Sequence, residues 1–315
     1  MSKRIQIVLP LLVVLALLGA APAAASDIAP SDVASYVVAL SPMAINSGVS
    51  ASDVAAQYDV DVAHDFPALH EFSLELTSEQ AAQLETDPNV AAIIPDSTIS
   101  LTDDPAVDAS GSAAAAEPAI VDQRSGVDRI HADTPSLPDG ILASNVNVAV
   151  LDTGVSTKQP ALNVVGGYNC TDADAGSYGD TNGHGSHVAG IIAASDLGTG
   201  PRGVVPGAQI WSVKVFNTDG QATFSEFLCG MNWIVEHADT IQVVNFSAIF
   251  DGVNYGGCGM NSNGQVIDPI HQAVCQLVDG FGIPFVDAAG NGGSMASDFT
   301  PAVYPETISV GAIVD

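Results

Sequence analysis

Hydrophobic and polar positions divide the chain into segments of different period. Residues 35–42 (SYVVALSP) alternate as a strand does, and residues 50–58 (SASDVAAQY) follow the helical period with Ser52 or Asp53 as the expected cap. Residues 69–77 (LHEFSLELT) again alternate. Thr77 then opens a second helix over 77–85, with the Thr-x-x-Gln spacing to Gln80 that makes a capping box. Residues 90–101 (VAAIIPDSTISL) close the set as a strand. A strand-helix-strand-strand-helix-strand order predicts a small α+β module with an open antiparallel sheet.

Residues 103–117 (DDPAVDASGSAAAAE) are acidic and small, without apolar periodicity, so the stretch from about Thr102 to Glu117 reads as a linker and a place for proteolytic cutting. From about Pro118 to Asp315 the pattern changes again. Near-continuous Val/Ile/Ala runs at 145–152, 208–216, 240–248, 283–290 and 307–314 alternate with helical segments at 186–195, 223–238 and 266–281. Such runs predict a parallel sheet covered on both faces, an α/β architecture of three layers. Parallel sheets place ligands at the carboxyl ends of their strands. Asp152 and Asn291 fall at two such ends and His184 at a helix start, so the three can converge on one edge.

The first residues set the compartment. Lys3 and Arg4 precede an apolar run from Ile7 to Ala20, and Ala23, Ala24 and Ala25 follow. This is the layout of a cleavable secretory signal over residues 1–25, and it predicts a secreted, extracellular protein. The other reading, a membrane anchor, needs about 20 apolar residues, more than this run holds.

Net charge is −29, with seven Lys and Arg against 36 Asp and Glu. Charge of that sign excludes nucleic acid and anionic membranes as electrostatic partners. It fits either a saline habitat or the acidic surface common among secreted proteins. Four cysteines, Cys170, Cys229, Cys258 and Cys275, predict two disulfides, and the sequence leaves all three pairings open. No C-x-x-C spacing points to structural zinc.

Three phrases carry chemistry. Asp152, in VAVLDTGV, can accept the Nδ1–H of a histidine and hold its tautomer; alone it could be an ordinary strand-end Asp. His184, in NGHGSHVAG, has glycines on both sides that leave room for substrate backbone, and Ser186 is the expected helix cap. His187 is expected to pack or hydrogen-bond inside the helix, since H-G-S-H lacks the spacing and Glu of a zinc protease. Asn291, in DAAGNGG, can donate an amide hydrogen to an oxyanion; a turn Asn before two glycines is the plain alternative.

These phrases resemble the subtilisin-like serine proteases, peptidase family S8 or subtilases. In that family an Asp, a His and then a Ser follow one another along the chain. AAGN with PAVYPETISVGA matches the family's oxyanion phrase, and residues 72–99 resemble its inhibitory propeptide of the inhibitor I9 type. The resemblance implies a ferredoxin-like propeptide over 27–101, a linker over 102–117, and a partial subtilisin-like catalytic domain over 118–315. It implies a serine endopeptidase in which His184, oriented by Asp152, is the base and Asn291 the oxyanion donor. Protein or peptide is the substrate, and the chain's own propeptide is its intramolecular inhibitor and chaperone. The enzyme is expected as a monomer, off the membrane once the signal is cleaved.

It further implies Cys170–Cys229 and Cys258–Cys275 as the pairs, and Ser247, Ala248 and Ile249 as the strand that receives substrate. The chemistry requires no cofactor, and structural calcium is compatible with the family. Asp172, Asp174 and Asp180 have suitable oxygens, but their spacing matches no motif and a solvated acidic loop is the reading preferred.

The chain departs from the pattern in five places. Glu71-Phe72 stands where the family often has Gly-Phe, and Ser186 where it has Thr. Ile249 and Phe250 replace glycines, which is expected to narrow the substrate's approach. Asp287 lies in a strand that should be buried. The nucleophile's G-T-S-M-A phrase is absent from these 315 residues. Ser294 in GGSMAS imitates it but comes three residues after Asn291, so the chain is expected to be a fragment, close to inert by itself. The rival expectation is an inactive pseudoprotease that binds peptides or inhibits proteases. A nucleotide-binding fold lacks its G-x-G-x-x-G turn.

Overall fold

Fourteen strands and six α-helices build the part of the chain that the computed structural model describes: residues 33–101, 127, 130, 132, 143–171, 177–197, 202–251, 257–260, 266–291 and 293–312. The expected signal (1–25) and linker (102–117) lie outside these residues. No helix among the described residues is long and apolar enough to cross a membrane.

The N-terminal module comprises β1 (Val33–Leu40), α1 (Pro42–Ser47), α2 (Ala51–Gln57), β2 (Val62–Phe66), β3 (Glu71–Thr77), α3 (Ser78–Leu84) and β4 (Val90–Pro95). Its antiparallel sheet has the order β2-β3-β1-β4. Helix α3 starts with the expected box, Thr77 and Gln80 each accepting the other's backbone N–H. Helix α2 corrects the expectation. Its cap is Ser50, not Ser52 or Asp53, because Ser50 and Asp53 stand at the spacing where each satisfies the other's amide. The sequence reading did not include α1, a single turn with Pro42 in its first positions, capped by Ser41 and closed by left-handed Gly48.

One face of this sheet, with Phe72, Leu74 and Leu76, packs on α2 and α3 around Val54, Ala55 and Leu84. The period of two sends Glu71 and Ser73 to the opposite face. Val37, Phe66 and Leu69 of the module instead join the core of the second half.

That second half is a six-stranded parallel sheet of order β14-β12-β10-β6-β8-β7. Its strands are β6 (Asn147–Asp152), β7 (Asn163–Asn169), β8 (Gln209–Lys214), β10 (Val243–Phe246), β12 (Phe285–Ala288) and β14 (Ile308–Val310). Short strands β5 (Thr98–Ser100), β9 (Gln221–Thr223), β11 (Phe250–Asp251) and β13 (Phe299–Thr300) make two further ribbons, β5 with β9 and β11 with β13.

Alternation along β6 explains the layers. Val148 and Val150 face α4 (His184–Ala193), with Val188 and Ala189. Ala149 and Leu151 face α5 (Phe224–Glu236) and α6 (Pro269–Cys275), with Phe227, Met231 and Val274. Helix α5 lies close to the sheet at Gly230, where an added Cβ would come within 2.4 Å of Leu151 Cδ1. Strand β7 was not anticipated. Its NVVGGYN sequence carries two glycines, which weaken the strand pattern.

Cys170 is bonded to Cys229, tying the end of β7 to α5, and Cys258 to Cys275 at the end of α6. Residues Val33–Asp315 form one compact unit. Within it the module meets the second half through backbone pairing. Strand β5 runs antiparallel to β9 in the register Thr98↔Thr223, Ile99↔Ala222, Ser100↔Gln221. The Leu101 N–H extends this ladder to the Gly220 carbonyl at 2.9 Å. Asp96 accepts from the N–H (2.9 Å) and the hydroxyl (2.6 Å) of Ser225 in the first turn of α5. The Ala68 N–H donates to Asn232 Oδ1, and Gln276 Nε2 donates to the Ala68 carbonyl.

Candidate active site

Strand β6 delivers Asp152 to the carboxyl edge of the sheet, where it is 1 % exposed. Its Oδ1 accepts the N–H of Thr153 at 2.7 Å. Its two oxygens lie 2.8 and 2.9 Å from His184 Nδ1. An ionised Asp152 therefore holds the ring in the tautomer with hydrogen on Nδ1, leaving Nε2 free to take a proton. The hydrogen bond that His184 donates to Asp152 raises the His184 pKa above its ordinary value; burial works against it, and the charges of Asp152 and Asp180 add to it.

Why the histidine stands there follows from the turn before it. Gly183, at φ 113°, caps α4 in a conformation that favours glycine, and it supplies no side-chain acceptor. Ser186 is inside the helix and is not its cap, as the sequence had suggested. Asp180 takes that role from upstream. Its Oδ1 accepts from the N–H groups of Asn182 and Gly183 and from the Thr153 hydroxyl, and its Oδ2 from the N–H and hydroxyl of Ser186. Burial pushes the Asp180 carboxyl up, but the hydrogen bonds from Ser186, Gly183 and Asn182 outweigh it and the net direction is down. A carboxylate is favourable at a helix N-terminus for the same reason. Gly185 lets α4 approach the Asp152 turn. A Cβ there would fall 2.1 Å from the Gly154 carbonyl oxygen and 3.1 Å from Asp152 Oδ1.

Lys214, which sequence reasoning missed, braces the same turn from the end of β8. It is 5 % exposed, and its ammonium donates to the carbonyls of Thr153 and Phe216 and to Thr181 Oγ1. Burial lowers its pKa, opposed by the charges of Asp180, Asp152 and Glu226. A lone Lys in an apolar strand of a chain with seven Lys and Arg was the available signal.

The remaining expected residues divide. Asn291 is exposed just beyond β12, at the same sheet edge as Asp152 and across β10 from it. Ser294 is exposed in the loop that follows. Ser247, Ala248 and Ile249 continue from β10; Ala248 is buried, Ser247 Oγ accepts from Asn245 Nδ2, and Ile249 packs on Gly290. Phe250 does not narrow the approach as expected. It is buried against Phe224 and Phe227 because β11 turns it into the core. Strand β9 is paired with β5. His187 is exposed, contrary to the packed role expected of it. Asp287 does have a partner: the Ser309 hydroxyl donates to its carboxylate from β14.

The calcium reading gains nothing here. Both oxygens of Asp180 are committed to N–H and hydroxyl donors, which leaves it unfit as a cation ligand, and Asp172 and Asp174 lie outside the described residues. Cys258, Cys275, Asp279 and Glu306 cluster, but the two sulfurs share a disulfide and offer no thiolate.

Comparison with known proteins agrees with this geometry. The chain is 29 % identical over 292 residues to the thermostable alkaline protease of Halalkalibacterium halodurans, covering 93 % of this chain and 68 % of that protein. It is 37 % identical over 192 residues to subtilisin E of Bacillus subtilis, covering 60 % of this chain and 46 % of that protein. It is 30 % identical over 268 residues to the M-protease of Shouchella clausii, covering 85 % of this chain and 60 % of that protein. The chain thus spans about half to two thirds of the length of these relatives. The model of the subtilase family, Peptidase_S8, matches residues 143–315, which hold both Asp152 and His184, and the chain belongs to that family.

Proposed function

We propose that the chain is the precursor of a secreted subtilisin-like serine endopeptidase. Residues 1–25 are its signal, 27–101 its propeptide, 102–117 the linker cut on maturation, and 118–315 part of its catalytic domain. The observation that carries this reading is the Asp152–His184 contact at 2.8 Å, at the sheet edge where β5 lies along β9.

His184 Nε2 removes the proton of a serine hydroxyl as that oxygen attacks the scissile carbonyl, and Asp152 stabilises the imidazolium that forms. The Asn291 amide donates to the oxyanion. Collapse of the tetrahedral intermediate returns the proton to the leaving amine, and water then hydrolyses the acyl-enzyme. The nucleophile is a serine of the G-T-S-M-A type, which residues 1–315 do not contain; Ser294 is not assigned the role. Substrate peptide adds as a strand at Ser247, Ala248 and Ile249 and along the β9 edge, bound through main-chain hydrogen bonds. Strand β5 of the propeptide occupies that edge beforehand, which makes the module an intramolecular inhibitor.

The test is expression from the complete reading frame, followed by fluorophosphonate labelling and peptide hydrolysis. Replacing His184 by Ala or Asp152 by Asn should lower kcat by on the order of 10⁴-fold or more. Hydrolysis unaffected by His184→Ala would overturn the reading. A frame that encodes no nucleophile, together with inhibition of a mature subtilase by the chain, would favour the inhibitor alternative.

A further inference from the structure

Docking of the N-terminal module buries a carboxyl group that has nothing to bond. Glu71, the first residue of β3, is 1 % exposed, and neither of its side-chain oxygens has a hydrogen-bond partner among the described residues. Ser73, two residues on and therefore on the same face, is fully buried with its hydroxyl also unpartnered. That face is turned away from α2 and α3, whose core takes Phe72, Leu74 and Leu76. Around it, Val37, Phe66 and Leu69 pack into the core of the second half. The cross-strand neighbours of Glu71 are Ala39 and Phe66, and neither can bond to it.

The titratable groups on the packed elements offer no counter-charge. Helix α6 brings Asp268 at its N-cap and His271. Asp268 already accepts from the N–H of His271 and the hydroxyl of Tyr304; His271 Nε2 is engaged by Glu306, while its Nδ1 is buried without a partner among the described residues and makes no bond to Glu71. Helix α5 brings Glu226 and Glu236, β2 brings His64 and Asp65, and β1 brings Tyr36. Beside β3, His70 is exposed. Of these, Asp268 acts on Glu71 through charge, and it is of like sign. The cations among the described residues, Lys158, Arg202 and Lys214, belong to other parts of the fold: the first two line the surface about α4, and Lys214 braces the His184 turn.

A buried carboxylate without donors is costly, whereas the neutral acid is tolerated. Separated from α5 and α6, the same sheet face would meet water, and Glu71 would ionise as an ordinary glutamate does.

We propose that Glu71 is a proton-operated latch: the module docks with this carboxyl protonated, and release of the proton to solvent as pH rises loosens the module from α5 and α6. Burial and Asp268 both push the Glu71 pKa well above its ordinary value. The sign follows. Docking is unaffected below the undocked value, about 4.3, and weakens above it until the docked group itself ionises. For one proton the loss is about tenfold in the docking equilibrium per pH unit within that window. The latch rests on the propeptide reading only for its purpose, the timing of release.

The experiment is hydrogen exchange on the whole chain between pH 5 and 9, corrected for intrinsic exchange. It follows the amides of Ala68, Leu101 and Phe224, which donate across the interface, against those of β6 and β8 as reference. Their opening should rise about tenfold per pH unit at the steepest in the wild type, and be flat in Glu71→Gln. Equal slopes in the two proteins, or a flat wild type, would overturn the latch. A second measurement needs no variant: the Glu71 carboxyl carbon, followed by NMR, should titrate well above that of exposed Glu75, and coincidence of the two would sink the idea. Neither readout uses proteolysis. A chain that shows the latch yet fails to inhibit a mature subtilase removes the propeptide reading and leaves the latch in place.

Discussion

His184 and its immediate neighbours allow the sharpest tests. Its pKa is raised by Asp152, so the pair stabilises the fold fully below the unfolded value of about 6.5, and that contribution is lost as pH rises through the folded value. NMR titration of His184 should show a midpoint above the ordinary histidine range that falls in Asp152→Asn. Asp180→Ala removes the acceptor for the N–H groups of Asn182, Gly183 and Ser186 and should cost about 1–2 kcal/mol in chemical denaturation, the scale of a lost helix cap. It should also lower the His184 pKa, since Asp180 contributes to it through charge. Gly185→Ala should destabilise by at least about 1–3 kcal/mol, because the added methyl meets backbone and not a flexible side-chain end. Unchanged stability in that variant would mean that α4 can shift away from the Asp152 turn.

At the level of elements, the sequence was most legible where period and burial agree. The parallel strands were readable because both of their faces are covered, and α3 because its capping box is complete between Thr77 and Gln80. Asp152 and His184 were readable from the phrases around them, VAVLDTGV and NGHGSHVAG, since an acid at a strand end is common by itself. What escaped notice depended on partners distant in the chain. Strand β7 is held by β8, and its two glycines hid it. The role of Asp180 depends on a turn that only the fold closes, and Lys214 is braced by carbonyls 61 residues away at Thr153 and two away at Phe216. The pairing of β5 with β9 was not legible, because it depends on Asp96 anchoring the start of α5 beside it. Asp96→Ala removes three hydrogen bonds to a charged acceptor, two from Ser225 and one from the Ser35 hydroxyl, each worth about 1.5–3 kcal/mol. Hydrogen exchange should show the β5–β9 amides opening faster, with β6 and β8 unchanged.

Over the whole molecule, two forces set stability beyond the cores. The charge of −29 repels itself, and salt screens it over about 10 Å at 0.1 M and about 3 Å at 1 M. Tm should therefore climb with added NaCl, and a falling Tm would show that the acidic groups are locally compensated. The two disulfides close loops of different size, 59 and 17 residues apart in sequence. Chain entropy assigns about 4 kcal/mol to Cys170–Cys229 and about 3 to Cys258–Cys275, so paired Cys→Ala variants should rank in that order in denaturant. A last consequence concerns birth and not activity. The module holds a core of its own in Leu74, Leu76 and Leu84 and leaves the ribosome first, whereas Ser225, which Asp96 receives, lies 129 residues later. On the propeptide reading, the nascent second half is expected to meet a surface that already bears an acceptor for the first turn of α5. A contact of such long range, otherwise slow to form, would then be a docking onto a template.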